Sequence, residues 1–374
     1  MYPELKKTDQ ISLLRELLLA ENGELPDGSA AAWLRSEKMG PYIYYRFKGR
    51  LSAEREAELK LDFMANSNLA LKRDFAAAEI RKSLNGAELP FVFLKGSALG
   101  DRVYPTAALR YMCDMDIFVA PEKIDAAFEI LKRAGWVPQL DYGSDNHLPI
   151  LKKYDTFLEL HFELPGVRKN YTAEFCRKEL SCGGEKVMSD EWNFALLFCH
   201  AARHRWDNWV RFMSDAVHLA KMEDFDFEVA ISETADMGYG NVRIFFDAFQ
   251  DFFPRYSGKA EAGSEARKVF EKLFINCKMP IRCRHKINFI EQSRSGSWLK
   301  KRLLGLRFSV VRYKYDIPHH RWDKTLLYWM IDLTKKIFIL FRLSKPSDDH
   351  ELTDYLKTAE RAAELLEAGD IDCA

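Results

Sequence analysis

Apolar positions recur at helical spacing through most of the first 84 residues. Ile11, Leu13, Leu14, Leu17, Leu18 and Leu19 form one such cluster, and Asn22-Gly23 supplies its stop. Residues 52–84 are rich in Ala, Glu, Leu, Lys and Arg and contain no Pro or Gly. That composition predicts one long helix, with residues 66–68 its weakest point.

At Leu89 the pattern changes. Pro90 precedes the apolar run Phe91-Val92-Phe93-Leu94, which fits a buried strand. Lys95-Gly96-Ser97 reads as a turn, residues 98–103 as a short helix and Tyr104-Pro105 as a loop. A second strand is expected over 115–119, then a helix over 121–134 with Pro121 at its start and Gly135 just past its end. Two further strands are expected over 147–152 and 156–164. The order strand, helix, strand, helix, strand, strand makes a small α/β unit. Helical spacing returns after Asp190, with Trp192, Ala195, Leu196 and Cys199 on one face and Val210, Met213, Val217 and Leu219 on another. The expected fold class is therefore α+β, a small mixed sheet with flanking helices. Its expected divisions are an N-terminal helical region (1–88), an α/β core (89–165), a helical region (166–345) and a charged C-terminal helix and tail (346–374).

Asp114 and Asp116 bracket one residue of the second strand. Side chains two apart on a strand share a face, roughly 6–7 Å apart. Two carboxylates there repel, and a hard divalent cation between them relieves the repulsion while leaving positions open for phosphate oxygens. Alone, such a pair more often marks a solvated strand end, but its context argues for more. The strand before Gly96-Ser97 breaks into a helix start, where backbone N–H groups suit a phosphate; Ser97 adds a hydroxyl and Lys95 a cation. Downstream, Glu159, His161 and Glu163 alternate with Leu158, Leu160 and Phe162, so one strand face is polar and can offer a third carboxylate.

The run LKGSALGDRVYPTAALRYMCDMDIFV, followed by Glu159-Leu160-His161-Phe162, resembles the polymerase-β-like nucleotidyltransferases. More narrowly it resembles a bacterial family of uncharacterised nucleotidyltransferases, which share Lys-Gly, Tyr-Pro, an Arg before Asp-x-Asp, and an acidic-Leu-His-aromatic strand. The resemblance implies a Mg²⁺-dependent (or Mn²⁺-dependent) enzyme. It would move a nucleoside monophosphate from an NTP to a hydroxyl of a small molecule, sugar, lipid-linked intermediate or protein. Asp114, Asp116 and Glu159 would be the catalytic metal ligands, and Lys95, Gly96, Ser97 and Arg110 would hold the nucleotide. His161, Glu163, His200, His204 and Asp215, with Arg211, would lie on the acceptor side. Sixteen residues separate Ser97 from Asp114, a longer gap than the wider superfamily shows, and Glu159 stands where the narrower family more often has Asp. The rival readings are a nucleotide-binding scaffold without turnover and an RNA-modifying transferase.

The remaining signals refine this picture. His200 and His204 stand at i, i+4, a metal-capable spacing, but without the glutamate of a zinc protease; two partly buried polar histidines are the blander alternative. Trp206 and Trp209 read as packing residues. With 56 basic and 56 acidic residues the chain has no surplus charge for a dedicated nucleic-acid partner. Residues 278–345 nevertheless hold 17 Lys and Arg against 4 Asp and Glu. Within them, 326–345 is apolar and flanked by basic residues. It fits a helix packed on the acidic part of the chain, a peripheral contact with an anionic membrane, or a nucleic acid. Seven scattered cysteines without a C-x-x-C pair predict reduced thiols. The expected location is the cytoplasm, at most peripheral to the inner face of the membrane.

Overall fold

The computed structural model describes residues 7–19, 28–139, 146–204, 206 and 209–257. Its architecture is α+β. Three helices, α1 (Lys7–Leu19), α2 (Gly28–Ser36) and α3 (Gly40–Phe47), bury Leu14, Leu17, Leu34, Ile43 and Phe47. They lead to α4 (Ala53–Asn85), 33 residues long. This helix runs unbroken through residues 66–68, where the sequence suggested weakness. Asn66 is buried and its amide donates to the Ala108 carbonyl at 2.5 Å, a tertiary bond that outweighs poor helix propensity. One turn-pair further on, Arg73 donates to the Met112 carbonyl at 3.1 Å. The inward face of α4 thus braces the loop that carries residues 104–113.

The next elements are β1 (Phe91–Leu94), α5 (Gly96–Val103), β2 (Asp114–Val119) and α6 (Ile124–Arg133). They are followed by β3 (Val137–Pro138), β4 (Leu151–Lys153), β5 (Thr156–His161), α7 (Tyr171–Glu179) and β6 (Glu185–Lys186). The strands form one mixed sheet in the order β3-β4-β5-β2-β1-β6. β1 runs antiparallel to β2, whereas β2 and β5 run parallel with Asp116 opposite Glu159.

Strand alternation sends two sets of side chains to two cores. Phe91, Phe93, Met115, Ile117, Val119, Leu158 and Leu160 meet Ile80 and Leu84 of α4 and Phe128 and Leu131 of α6. Val92, Leu94 and Phe118 face the second core, built with α8 (Asp190–Arg203), α9 (Trp209–Ala220), α10 (Phe227–Asp236) and α11 (Arg243–Ala248). Asp114, Asp116, Glu159 and His161 alternate with the first set, so they lie on the face that α8 and α9 cover. Trp206 packs in this second core, its ring 5.0 Å from Phe198 and 5.8 Å from Phe245; Trp209 stacks on Trp33 at 6.4 Å. Both are packing residues, as the sequence reading had them.

Several boundaries differ from those the pattern predicted. α6 starts at Ile124, because residues 121–123 form a turn whose Lys123 amide bonds back to Ala120. The strand expected over 147–152 begins only at Leu151; His147 makes an isolated bridge to His161. β5 ends at His161, short of residue 164. Two strands, β3 and β6, are only two residues long each and had no legible alternation. The basic stretch 278–345, its segment 326–345 and the tail 346–374 lie outside the described residues, as does Asn22-Gly23. Among the described residues no helix is long and apolar enough to cross a membrane. Cys113, Cys176, Cys182 and Cys199 are free thiols.

Candidate active site

The β1–α5 turn is the first part of the site. Leu94 pairs with Asp116 across the sheet, and the chain then turns at Lys95 with φ +51° and ψ −127°, outside the comfortable regions for an L-residue. Two bonds hold this conformation: Lys95 Nζ reaches Asp116 Oδ1 at 2.7 Å, and the Asp116 amide donates to Ser97 Oγ at 3.0 Å. Ser97 is thus tied to the β2 backbone and does not line the cleft, whereas Lys95 and Gly96 do. A Cβ at Gly96 would lie 1.8 Å from Arg110 Nη1 and 2.0 Å from Met112 Sδ. Only glycine admits the arginine here.

Arg110 lines the cleft and pairs across it with a residue of α9. Its Nε and Nη2 each donate to Asp215 of α9 at 2.7 Å, a two-pronged, buried pair. The Tyr104 hydroxyl donates to Asp215 Oδ1 at 2.7 Å as well. Burial alone would weaken the charge on Arg110, but Asp215 holds it firmly protonated. Both residues border the cleft, yet each is already satisfied by the other. Arg110 is therefore a strut between the β2 approach and α9, and Asp215 is its anchor.

Register assembles the carboxylates. Asp116 and Glu159 are neighbours on parallel strands, with Asp114 two residues before Asp116 on the same face. His161 lies beyond Glu159 on that face, with Nε2 2.9 Å from Asp116 Oδ1 and 3.4 Å from Glu159 Oε2. Asn146 Nδ2 is 3.3 Å from His161 Nδ1, which makes Nε2 the proton-bearing nitrogen facing the carboxylates. Ligand atoms of Asp116, Glu159 and His161 all fall within 4.8 Å of one another. Asp114, predicted in that inner set, lines the same cleft outside it. Glu163, predicted beside it, is exposed and absent from the lining, because β5 has already ended.

The electrostatics follow from this packing. Burial would raise the Asp116 carboxyl, but Lys95 and His161 hold it below the usual carboxylate range. Glu159 is likewise burdened by burial and pulled down by His161. Burial pushes Asp114 up, and repulsion from Asp116 and Glu159 pushes it further. His161 is lowered by burial but raised more by its two carboxylate partners.

The opposite wall of this cleft of about 440 Å³ comes from α8 and α9. His200, Arg203, His204, Arg211 and Phe212 line it. The His200 and His204 rings are 4.5 Å apart. Burial, with Lys95 and His204 adding to it, keeps His200 neutral, well below the ordinary histidine value. No ion pair holds Arg203 or Arg211 among the described residues. The approach of this wall is set at Gly166 (φ +81°), where a Cβ would lie 2.3 Å from the Cys199 carbonyl oxygen. Sequence reasoning missed Arg203, Asn146 and His147. Arg203 was findable, since it lies three residues after His200 on one helix face; Asn146 and His147 had no signal outside the fold.

Over residues 27–242, more than half of its length, the sequence matches a family model described as an uncharacterised nucleotidyltransferase. No curated protein and no solved structure matches the chain.

Proposed function

The chain belongs to the uncharacterised nucleotidyltransferase family, and from that premise we propose that the cleft moves a nucleoside monophosphate from an NTP to a hydroxyl group. The acceptor oxygen attacks the α-phosphorus, the bond to the β-phosphate oxygen breaks, and pyrophosphate leaves. The observation that carries this reading is the register pairing of Asp116 with Glu159, with Asp114 beside them, at the foot of the Lys95-Gly96 turn.

The donor set fits a hard divalent cation. Asp114, Asp116 and Glu159 would hold Mg²⁺ or Mn²⁺. His161, whose proton-bearing nitrogen faces the carboxylates, is better suited to orienting them than to ligating. Both Lys95 and His161 contact Oδ1 of Asp116, so Oδ2 takes part in neither contact. When bound, the cation neutralises phosphate charge and lowers the pKa of the acceptor hydroxyl.

The chain's own groups do the rest. Lys95 keeps Asp116 ionised. The N-terminus of α5, where Gly96 lines the cleft, would receive a phosphate. Arg203 and Arg211 take over the charge-neutralising role that the sequence suggested for Arg110, because they hold no ion pair among the described residues. Glu159, ionised through its contact with His161, takes the proton that the acceptor hydroxyl releases. The flat balance of charge favours a small-molecule, sugar, lipid-linked or protein acceptor over a nucleic acid.

Calorimetry with ATP, GTP, CTP and UTP, with and without Mg²⁺, tests the reading. Metal-dependent binding that disappears in Asp114→Asn/Asp116→Asn is the expected result. Binding without turnover of any offered acceptor would favour a scaffold. A folded wild type that binds no NTP would overturn the reading.

A further inference from the structure

The 33-residue helix α4 is apolar on two opposite sides. Its inner side, Leu59, Ala70, Ala76, Ile80 and Leu84, belongs to the cores already described. On the outer side Leu61, Met64, Leu71 and Phe75 are 66, 56, 61 and 71% exposed. With Asn68 they follow one another at intervals of three, four, three and four residues, which is the seam of a coiled coil. Ala57 and Ala78 continue the same spacing, and Glu54 and Lys82 end it with opposite charges. A long, regular, exposed apolar seam is not what a solvated helix face requires.

We propose that this seam is the contact surface for a second copy of the chain, with the two α4 helices packed antiparallel about a twofold axis at Asn68. Such an axis makes the same patch serve both partners. It sets Leu61 against Phe75 of the partner subunit and Met64 against Leu71 of the partner subunit, to within one residue. Asn68 then meets its own symmetry mate, so the one polar side chain in the seam finds a hydrogen-bonding partner and fixes the register. Charge selects the direction. Glu54 at one end faces Lys82 of the partner subunit, whereas a parallel pair would place like charges together at both ends. A helix–helix contact also needs no change in the inner face, where Asn66 and Arg73 hold the loop of residues 104–113.

Sedimentation of the full chain at micromolar concentration tests this. A dimer is expected, and Leu71→Glu/Phe75→Glu is expected to run as a monomer with an unchanged helical spectrum. A monomeric wild type, or a dimer unaffected by that double substitution, overturns the proposal. Direction is read by oxidative cross-linking above the background of the native cysteines. Leu61→Cys/Phe75→Cys cross-links between chains in the antiparallel pair; Leu61→Cys alone does so only in a parallel pair, and that result overturns the arrangement. A monomer in which Met64 resists oxidation would name the chain's own residues 326–345 as the cover, and would likewise overturn it.

Discussion

Arg110 and Asp215 are 105 residues apart in the chain, and their side chains meet in a buried pair with two hydrogen bonds of 2.7 Å. One residue lies in the loop that leads into β2; the other sits in the middle of α9. The pair ties the acidic wall of the cleft to its basic wall. Removing either partner strands a buried charge, which costs about 3–5 kcal/mol. Arg110→Ala and Asp215→Ala are each expected to lose stability of that order in urea titration. Replacing both with apolar residues of similar volume is expected to recover a large part of the loss. Equal melting of Arg110→Ala and wild type would show that the strut is dispensable.

Gly96 leaves no space for a methyl group, since its Cβ would fall 1.8 Å from a guanidinium nitrogen that Asp215 pins in place. Overpacking of this kind costs about 1–3 kcal/mol. Gly96→Ala is expected to destabilise the protein by that amount and to weaken nucleotide binding, read by urea titration and calorimetry. Full stability in Gly96→Ala would mean that the arginine has another resting position.

His161 touches both central carboxylates without needing to ligate. A partner of this type, when removed, typically lowers metal affinity about 10–100-fold. Titration of His161→Ala with Mn²⁺, followed by calorimetry, is expected to give a loss in that range with helical content retained. An unchanged affinity would leave His161 a packing residue.

Acid is expected to weaken the fold below about pH 6.5 through His218 and His200. His218 is enclosed between the Ser214 carbonyl at 2.7 Å and the Tyr42 hydroxyl at 3.2 Å, and burial depresses its pKa. The folded value lies below the unfolded one, so between them the unfolded chain binds more protons and stability rises with pH. The stabilisation is complete above the unfolded pKa and is lost as pH falls through the folded one. His200 acts in the same direction. Urea titrations between pH 8 and pH 5 should show this slope, and it should become shallower in His218→Gln. If the slope in His218→Gln matches wild type, other groups cause the acid lability.

Much of the sheet was legible because strand alternation writes itself into the chain. Phe91 to Leu94 and the Asp-x-Asp strand could be read directly, and the alternation of Leu158, Glu159, Leu160 and His161 placed Glu159 and His161 on one face. Register was not legible. That Asp116 stands opposite Glu159 depends on which strands pair, and local pattern does not encode pairing between residues over 40 positions apart. The same limit hid the partner of Arg110, which lies on a distant helix. It also hid Asn66, whose helix-breaking tendency is cancelled by a carbonyl supplied from residue 108. Glu163 illustrates the opposite failure, since its alternation continues past the point where the strand stops.

Pro165 lines the cleft, and the residue after it, Gly166, meets Cys199 through main-chain atoms just before His200. The gap between the two walls is therefore gauged by backbone against backbone, a dimension that no rotamer can adjust. Such a gauge lets the lining side chains change their chemistry while the aperture stays constant. A single methyl group at Gly166 would act as a wedge, prising the mouth open without altering any charge inside it.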